Sequence, residues 1–166
     1  MLPLFQVTAP TPLGKLRVIL DDRTLVAAGF TTFLHLKEKL APLDFDRKLV
    51  TSREDQWVAE LIERYFDGEI GAFVGLKVRQ PGAAFSQRAW RAMEKIPSGK
   101  VISYADLAAK AGSPAAVRAA GTACARNAIA PFIPCHRIIR SDGALGNYGY
   151  GVSKKSWLLR HEGAIE

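Results

Sequence analysis

The residues best suited to chemistry are a cysteine and a histidine that follow each other in an apolar segment. Cys135 and His136 come directly after Pro134, within the stretch 133–139. A buried cysteine is most often a small, inert hydrophobic residue, but a thiolate beside a base is a nucleophile. Because adjacent side chains of an extended chain point in opposite directions, we expect His136 to act on Cys135 through a water molecule.

Two short helices are predicted ahead of this segment. Residues 103–106 read Ser-Tyr-Ala-Asp, which has the spacing of a capping box, and predict a helix that runs to Ala111. After a turn at Gly112, Ser113 followed by Pro114 predicts the start of a second helix that runs to about residue 126. Two helices with a glycine turn between them fit a DNA-binding helix-turn-helix, but any pair of antiparallel helices gives a similar pattern.

The second of these helices carries small side chains almost throughout. Residues 115–123 are Ala, Val, Gly or Thr apart from Arg118. Small side chains allow a helix to approach another surface closely. That surface is either another helix or the minor groove of DNA, which is narrow. Arg118 is accordingly either a solvated surface residue or a side chain that enters the duplex.

The positive charge of the chain lies in its second half. Residues 1–80 contain 11 Lys/Arg and 11 Asp/Glu, a net charge of zero, and residues 81–166 contain 12 Lys/Arg and 5 Asp/Glu, a net charge of +7. This asymmetry favours a polyanionic partner for the second half. A merely solubilising surface would give the same numbers.

The chain has the size and composition of an α+β protein with two domains. Alternating and apolar runs within residues 4–30 predict short strands, and apolar residues at helical spacing predict a helix over 53–66. A connection containing Gly and Pro follows at 67–84, and a further helix is expected from Ser86 to Ile96. We therefore predict an N-terminal mixed α/β domain over 1–80, with a short-strand sheet and a helix. A mainly helical domain with a helix-turn-helix is predicted over 81–166.

Composition narrows the class of protein further. The 166 residues are 48% hydrophobic and 23% charged, as in ordinary globular proteins. Two cysteines form no disulfide framework and suit a reducing compartment. No apolar run reaches the length of a membrane span, and the start of the chain lacks the features of a signal peptide. We expect a cytoplasmic protein with access to DNA in the nucleoid or nucleus, and no membrane partner.

The second half resembles the O6-alkylguanine-DNA alkyltransferases, also called methylated-DNA–protein cysteine methyltransferases. Pro134-Cys135-His136-Arg137 matches the active-site motif of that family. Further matches occur in the family's order and spacing, at 96–104, 118–121, Asn127, 146–148 and 157–163. The first half resembles the family more loosely, through 11–14 and 65–68.

The resemblance implies roles for individual residues. Cys135 would accept the alkyl group, His136 would deprotonate it through a water, and Glu162 would orient His136. Tyr104 would rotate the target phosphate and hydrogen-bond the base, and Asn127 would link the recognition helix to the active-site strand. The implied DNA-binding residues are Tyr104, Ser113, Arg118, Thr122 and Ser141, with Arg118 replacing the flipped base. The implied substrate pocket consists of Tyr104, Cys124, Ile138, Tyr148, Gly149 and Tyr150.

The resemblance also implies a substrate and a reaction. The partner would be double-stranded DNA containing O6-alkylguanine, with O4-alkylthymine as a second substrate, and the protein would act as a monomer. The target base must be flipped out of the duplex, and the thioether product makes the reaction stoichiometric. No cofactor or metal is expected, because His35 and the two late cysteines do not form the zinc site of some relatives. Tyr150 stands where several relatives have a small residue, which predicts a restricted pocket.

Two other functions fit part of the pattern. A Cys–His hydrolase of the papain type would also place a histidine beside a nucleophilic cysteine, but it would not need the basic half with its two helices. A non-catalytic alkyltransferase-like protein would bind lesions without repairing them, but such proteins replace the acceptor cysteine, and here Cys135 is present.

Overall fold

The computed structural model describes the whole chain, Met1–Glu166, as two compact units. One unit comprises Met1–Pro81 and Ala128–Phe132, and the other comprises Gly82–Asn127 and Ile133–Glu166. The first unit contains a four-stranded sheet, and the second unit is built mainly of four helices. The predicted α+β class is therefore confirmed. None of the helices has the length and apolarity needed to cross a bilayer.

The first unit is built on an antiparallel meander. The strands β1 (Leu4–Thr11), β2 (Gly14–Asp21) and β3 (Thr24–Gly29) pair in sequence order, which confirms the strands predicted within residues 4–30. A two-residue strand, β4 (Leu49–Val50), adds in parallel to β1, and the sheet order is β3-β2-β1-β4. Consecutive strands joined by tight turns give an antiparallel sheet because the chain reverses at each turn.

Two helices accompany this sheet. The helices are α1 (Phe33–Lys37) and α2 (Gln56–Phe66). The helix predicted over 53–66 is confirmed, except that its first turn is a 3-10 turn, Arg53–Asp55, capped by Ser52. The apolar face of α2 buries Val58, Ile62 and Tyr65 and packs against β1.

Paired charges stabilise the first unit. Arg47 and Arg79 each contact both Asp21 and Asp44, at distances of 2.6 to 3.0 Å. Hydrogen bonds from Arg47, opposed by burial and aided by Arg79, lower the pKa of Asp21 to about 2. Since the four residues come from three separate parts of the chain, this network joins β2 to two connecting segments of the same unit.

The second unit contains four helices and one pair of very short parallel strands. The helices are α3 (Ala84–Glu94), α4 (Tyr104–Lys110), α5 (Val117–Arg126) and α6 (Val152–His161). The strands are β5 (Ile102–Ser103) and β6 (Ile138–Ile139). The pairing places the start of α4 beside the residues that follow Cys135.

One of the three predicted helix starts in this unit is confirmed. Ser103 accepts a hydrogen bond from Asp106 N at 3.0 Å, and Asp106 accepts one from Ser103 N, which completes the capping box of α4. The predicted cap at Ser86 is wrong, because α3 begins two residues earlier, at Ala84. The predicted start at Ser113 is also wrong: residues 113–116 form a turn, closed by Ala116 N and Ser113 O at 2.9 Å, before α5 begins at Val117.

The small side chains of α5 serve two surfaces. Ala120 and Ala123 are fully buried, and the carbonyl of Ala123 accepts a 2.9 Å hydrogen bond from the indole of Trp90 on α3. Arg118, Ala119 and Thr122 are exposed. One face of α5 therefore packs against other helices, and the other faces solvent with short side chains between Arg118 near its start and Arg126 at its end.

Candidate active site

Cys135 begins a tight turn, whereas the sequence predicted an extended chain there. Residues Cys135–Arg137 form a 3-10 turn, in which Arg137 N donates to Pro134 O at 3.0 Å. The expectation of an extended Cys135–His136 pair is therefore wrong, because Pro134 and the local hydrogen bonds bend the backbone. The turn leaves Cys135 7% exposed, on the wall of a cavity, and His136 1% exposed, inside the protein.

The carboxylate of Glu162 fixes the imidazole ring of His136. Its Nε2 atom lies 2.9 Å from Oε2 of Glu162, which is itself fully buried in side chain. The other ring nitrogen, Nδ1, is buried and has no hydrogen-bond partner in the protein. A carboxylate that only accepts fixes the proton on Nε2, so Nδ1 is the nitrogen that is able to accept a proton.

Arg137 completes this buried array. Its guanidinium donates to both carboxylate oxygens of Glu162 at 2.9 Å, to the carbonyl of Ile96 at 2.7 Å and to the hydroxyl of Ser98 at 3.0 Å. A bidentate pair of this kind fixes both position and angle. Arg137 therefore positions Glu162, and through it His136, while connecting the turn to the end of α3.

The charges in the array follow from its surroundings. Burial lowers the pKa of His136 below its ordinary value of 6.5, against the attraction of Glu162. Burial alone would raise the pKa of Glu162, but hydrogen bonds from His136 and Arg137 lower it overall. At neutral pH the array consists of a neutral imidazole, a carboxylate and a guanidinium, in which Arg137 supplies the balancing positive charge.

Tyr104 lies on the cavity wall, and its side chain leaves no room for a Cβ atom at the neighbouring Gly146. A Cβ atom added to Gly146 would lie 2.9 Å from the Tyr104 hydroxyl oxygen, and Gly146 also has a φ of +76°. Both facts favour glycine at this position. Burial, together with the neighbouring charges of Cys124 and Cys135, raises the pKa of Tyr104 to about 12. The hydroxyl is therefore protonated at neutral pH and available as a donor.

A fully buried lysine, Lys155, lies behind the cavity. Its ammonium donates to the carbonyl of Ile138 at 2.6 Å and to that of Asn147 at 3.2 Å, and it lies 5.8 Å from the centroid of the Tyr104 ring. Burial lowers the pKa of Lys155, while the charges of Cys135 and Cys124 raise it. Lys155 thus ties β6 to the loop that carries Gly146 and places a cation near the thiol.

The cavity brings together seven of the predicted site residues. It has a volume of about 600 Å³. The predicted residues on its wall are Tyr104, Arg118, Thr122, Cys124, Cys135, Tyr148 and Gly149. His136, Glu162 and Asn127 are buried away from the wall, and Asn127 donates to the carbonyl of Ile133 at 2.8 Å, which joins the end of α5 to the segment before Cys135.

The remaining predicted residues do not line the cavity. Ile138 is fully buried in β6, where its carbonyl accepts from Lys155. Tyr150 packs edge-on against Tyr148, with ring centroids 5.8 Å apart, and burial followed by the charge of Cys135 raises its pKa to about 12. Ser113 lies in the turn before α5 and Ser141 is exposed after β6.

Three functional candidates were not predicted as site residues. Arg140 and Asn147 line the cavity, and Lys155 lies behind it. The one signal for Lys155 in the sequence is a lysine inside the apolar face of the last helix, three residues before Leu158. The partners of Lys155 lie 17 and 8 residues away in sequence, so helical periodicity alone does not identify them.

The chain resembles known proteins over its whole length. The profile described as "6-O-methylguanine DNA methyltransferase, DNA binding domain" matches residues 84–164. The methylated-DNA–protein-cysteine methyltransferase of Salmonella typhimurium is 35% identical, over 99% of both chains. The constitutive methylated-DNA–protein-cysteine methyltransferase of Bacillus subtilis is 37% identical, over 95% of this chain and 94% of the relative.

Solved structures of proteins from the same family resemble the chain as well. The crystal structure of Mycobacterium tuberculosis OGT in complex with DNA has a TM-score of 0.80 and 29% identity, over 96% of this chain and 93% of the other. These relatives, together with Cys135 on a cavity wall and the buried array of His136, Glu162 and Arg137, identify the class of protein as a methyltransferase. The chain belongs to the methylated-DNA–protein-cysteine methyltransferase family.

Proposed function

We propose that this chain repairs DNA by transferring the alkyl group of O6-alkylguanine to its own Cys135, stoichiometrically and irreversibly. Its enzyme class, methylated-DNA–protein-cysteine S-methyltransferase, is that of its family. The observation that carries the proposal is the location of Cys135 on the wall of a cavity of about 600 Å³. His136, the next residue along the chain, is buried and held by Glu162 at 2.9 Å.

The proposed reaction is a displacement at the alkyl carbon. His136 Nδ1 takes the thiol proton through a water, the sulfur–carbon bond forms, and the bond between that carbon and O6 breaks with its electron pair going to guanine. The proton held by His136 then returns through water and neutralises the departing base. Tyr104 donates a hydrogen bond to the departing base, for which its raised pKa of about 12 keeps the proton in place. The thioether has no electrophilic carbonyl for water to attack, so each molecule reacts once.

The proposed DNA contact is the exposed face of α5. Its short side chains suit the minor groove, and Arg118, unlike Arg126 at the end of the helix, lies on the wall of the cavity that contains Cys135. We assign Arg118 to the space left when the target nucleotide is flipped into the cavity. Ser113, Thr122 and Ser141 are the further predicted DNA contacts, and Asn127 positions the end of α5.

The substrate range follows from the same cavity. O4-alkylthymine offers an equivalent oxygen-bound alkyl carbon and is our second proposed substrate. Tyr148, Gly149 and Cys124 line the cavity, and Tyr150 packs behind Tyr148. Tyr148 restricts the room for large O6 substituents from the cavity wall, and Tyr150 supports Tyr148 by packing against it. We expect the protein to act as a monomer.

Mass spectrometry tests the proposed function directly. Incubation with an excess of duplex DNA containing O6-methylguanine should add one methyl group per protein, and peptide mapping should place it on Cys135. The Cys135→Ser variant should gain none, and Cys124→Ser should still be methylated. Repeated turnover, or methylation of Cys124 alone, would exclude this mechanism.

A further inference from the structure

Another cavity lies in the C-terminal unit, which is the second unit described above (Gly82–Asn127 and Ile133–Glu166). It shares no lining residue with the cavity of Cys135. It has a volume of about 510 Å³ and lies between α3, α4 and the connection at 95–102. Five of its lining residues are cations: Arg88, Arg91, Lys95, Lys100 and Lys110. Its floor is apolar, made by Ala92, Ile96, Pro97 and Ile102. The proposed repair reaction uses none of these side chains.

No salt bridge neutralises the cations of this cavity, although the charge of Glu94 acts on Arg91. None of the five forms an ion pair with a carboxylate, and all five are exposed. Arg88 donates its Nε hydrogen to the carbonyl of Ala111 at 2.7 Å, which fixes one edge. Glu94 belongs to α3 but does not line the cavity. Five like charges around one concave surface predict an anionic ligand.

The spacing of the cations indicates a polyanion. Arg88, Arg91 and Lys95 follow one face of α3 and its C-cap, and seven residues of helix span about 10 Å. One strand of a duplex carries a charge about every 3.4 Å along the axis, so this row matches about three phosphates. Lys100 and Lys110 add charge on the other sides of the cavity. A cavity of about 510 Å³ lined by five cations exceeds what one small anion needs.

We propose that this basic cavity binds the phosphate backbone of a second DNA segment, so that one protein molecule engages two duplexes. The first duplex is the one bound at α5, and for it the proposal rests on the proposed function. Helix α4 has Tyr104 on the wall of the Cys135 cavity and Lys110 on the wall of the basic cavity. Five of the 12 cations in residues 81–166 thus line a surface separate from the reactive thiol.

Two variants with equal charge test this proposal. The cavity variant is K95Q/K100Q/K110Q, and the control is K15Q/K48Q/K77Q, three exposed lysines of the N-terminal unit. Two unmodified duplexes with different dyes are mixed with each protein at about 50 mM salt, where backbone contacts are strong. Fluorescence cross-correlation then reports joint diffusion of the two dyes. Wild type and control should join the duplexes, and the cavity variant should not.

Salt dependence gives a second measure of the same contact. Three lost phosphate contacts should reduce the slope of log K against log salt for the second duplex by about 2.7, at about 0.9 per contact. Single-turnover methyl transfer to Cys135 on a short lesion duplex should stay the same in the cavity variant. Absence of joint diffusion in wild type, or its persistence in the cavity variant, would overturn the proposal.

Two further outcomes separate this proposal from others. If methyl transfer fails in wild type while joint diffusion depends on the three lysines, the proposed function fails and the second DNA site stands. A titration with inorganic phosphate, followed by NMR of the lysine side chains, distinguishes a free anion from DNA. Binding of phosphate at the cavity without joint diffusion of the duplexes would overturn the assignment to DNA.

Discussion

The two ring nitrogens of His136 differ in their relation to Glu162: Nε2 lies 2.9 Å from its Oε2, whereas buried Nδ1 has no hydrogen-bond partner in the protein. Glu162 therefore selects the tautomer in which Nδ1 is able to accept a proton. His136→Ala should lower the single-turnover rate of methyl transfer by about 10²–10⁴-fold, as for loss of a positioned base. Quenched-flow assays on lesion duplex measure this, with exposed His35→Ala as the control. An unchanged rate would remove His136 from the mechanism.

Glu162→Gln should slow transfer and also destabilise the fold. The substitution leaves the buried guanidinium of Arg137 without its counter-charge, and breaking one partner of a buried ion pair costs about 3–5 kcal/mol. Urea denaturation measures the loss, with exposed Glu63→Gln as the control, and rates are compared where both proteins are folded. A variant of full stability and full rate would contradict the role assigned to Glu162.

The pH profile should reflect the lowered pKa of His136. Because burial disfavours the imidazolium, the base form persists below pH 6.5, so the transfer rate should remain level from about pH 8 through 6.5 and fall only at more acidic pH. Stability should also fall at acidic pH. The histidine of the unfolded chain has the higher pKa and is protonated first, so the free energy of unfolding decreases as pH drops below about 6.5. A rate midpoint above 6.5 would contradict the neutral imidazole.

Lys155→Met should impair both stability and the reactivity of Cys135. The methionine fits an apolar surround but leaves the carbonyls of Ile138 and Asn147 without their donor, at a cost of roughly 1–3 kcal/mol for each group left unsatisfied. It also removes the cation near the thiol. The measurements are urea denaturation and alkylation of Cys135 by iodoacetamide, with neighbouring Lys154→Met as the control. Equal behaviour of the two variants would refute a specific role.

Gly146→Ala should disturb Tyr104. The new Cβ would lie 2.9 Å from the tyrosine hydroxyl oxygen, so the ring or the loop must shift. Gly143→Ala is the matched control, because Gly143 also has a positive φ, +89°, but no atom lies within 4 Å of its Cβ position. We expect methyl transfer to be slowed in Gly146→Ala well beyond the control. Similar rates would show that backbone strain, and not contact with Tyr104, explains this glycine.

Arg118→Ala should slow repair of a duplex lesion more than reaction with the free O6-alkylguanine base. The free base needs no extrusion and leaves no gap in a stack. The control is Arg126→Ala, an exposed arginine at the end of α5. If Arg126 contacts a phosphate, its removal should instead reduce the slope of log K against log salt by about one unit. The measurement is the single-turnover rate on both substrates. Equal slowing on both by Arg118→Ala would show that Arg118 supports the cavity and does not replace the flipped base.

Local patterns in the sequence were enough to predict several parts of the molecule. The short strands within residues 4–30, the body of α2 and the capping box at Ser103 depend on residues at most a few positions apart. The same is true of Cys135 beside His136. Cap residues alone were less informative. Ser86 and Ser113 predicted helix starts that packing moved to Ala84 and Val117, because a serine also fits within a helix or a turn.

Tertiary structure alone decided how the reactive cysteine is supported. Arg137 reaches Ile96 across 41 residues and Glu162 across 25, and Lys155 reaches Ile138 across 17. Residues 128–132 belong to the N-terminal unit although they lie between α5 and Cys135. The charge count placed +7 on the second half, but only packing gathered five of its cations around one cavity and two around another. Sequence spacing encodes periodicity and caps, whereas the partners of a buried charge depend on which distant backbone groups the fold brings beside it.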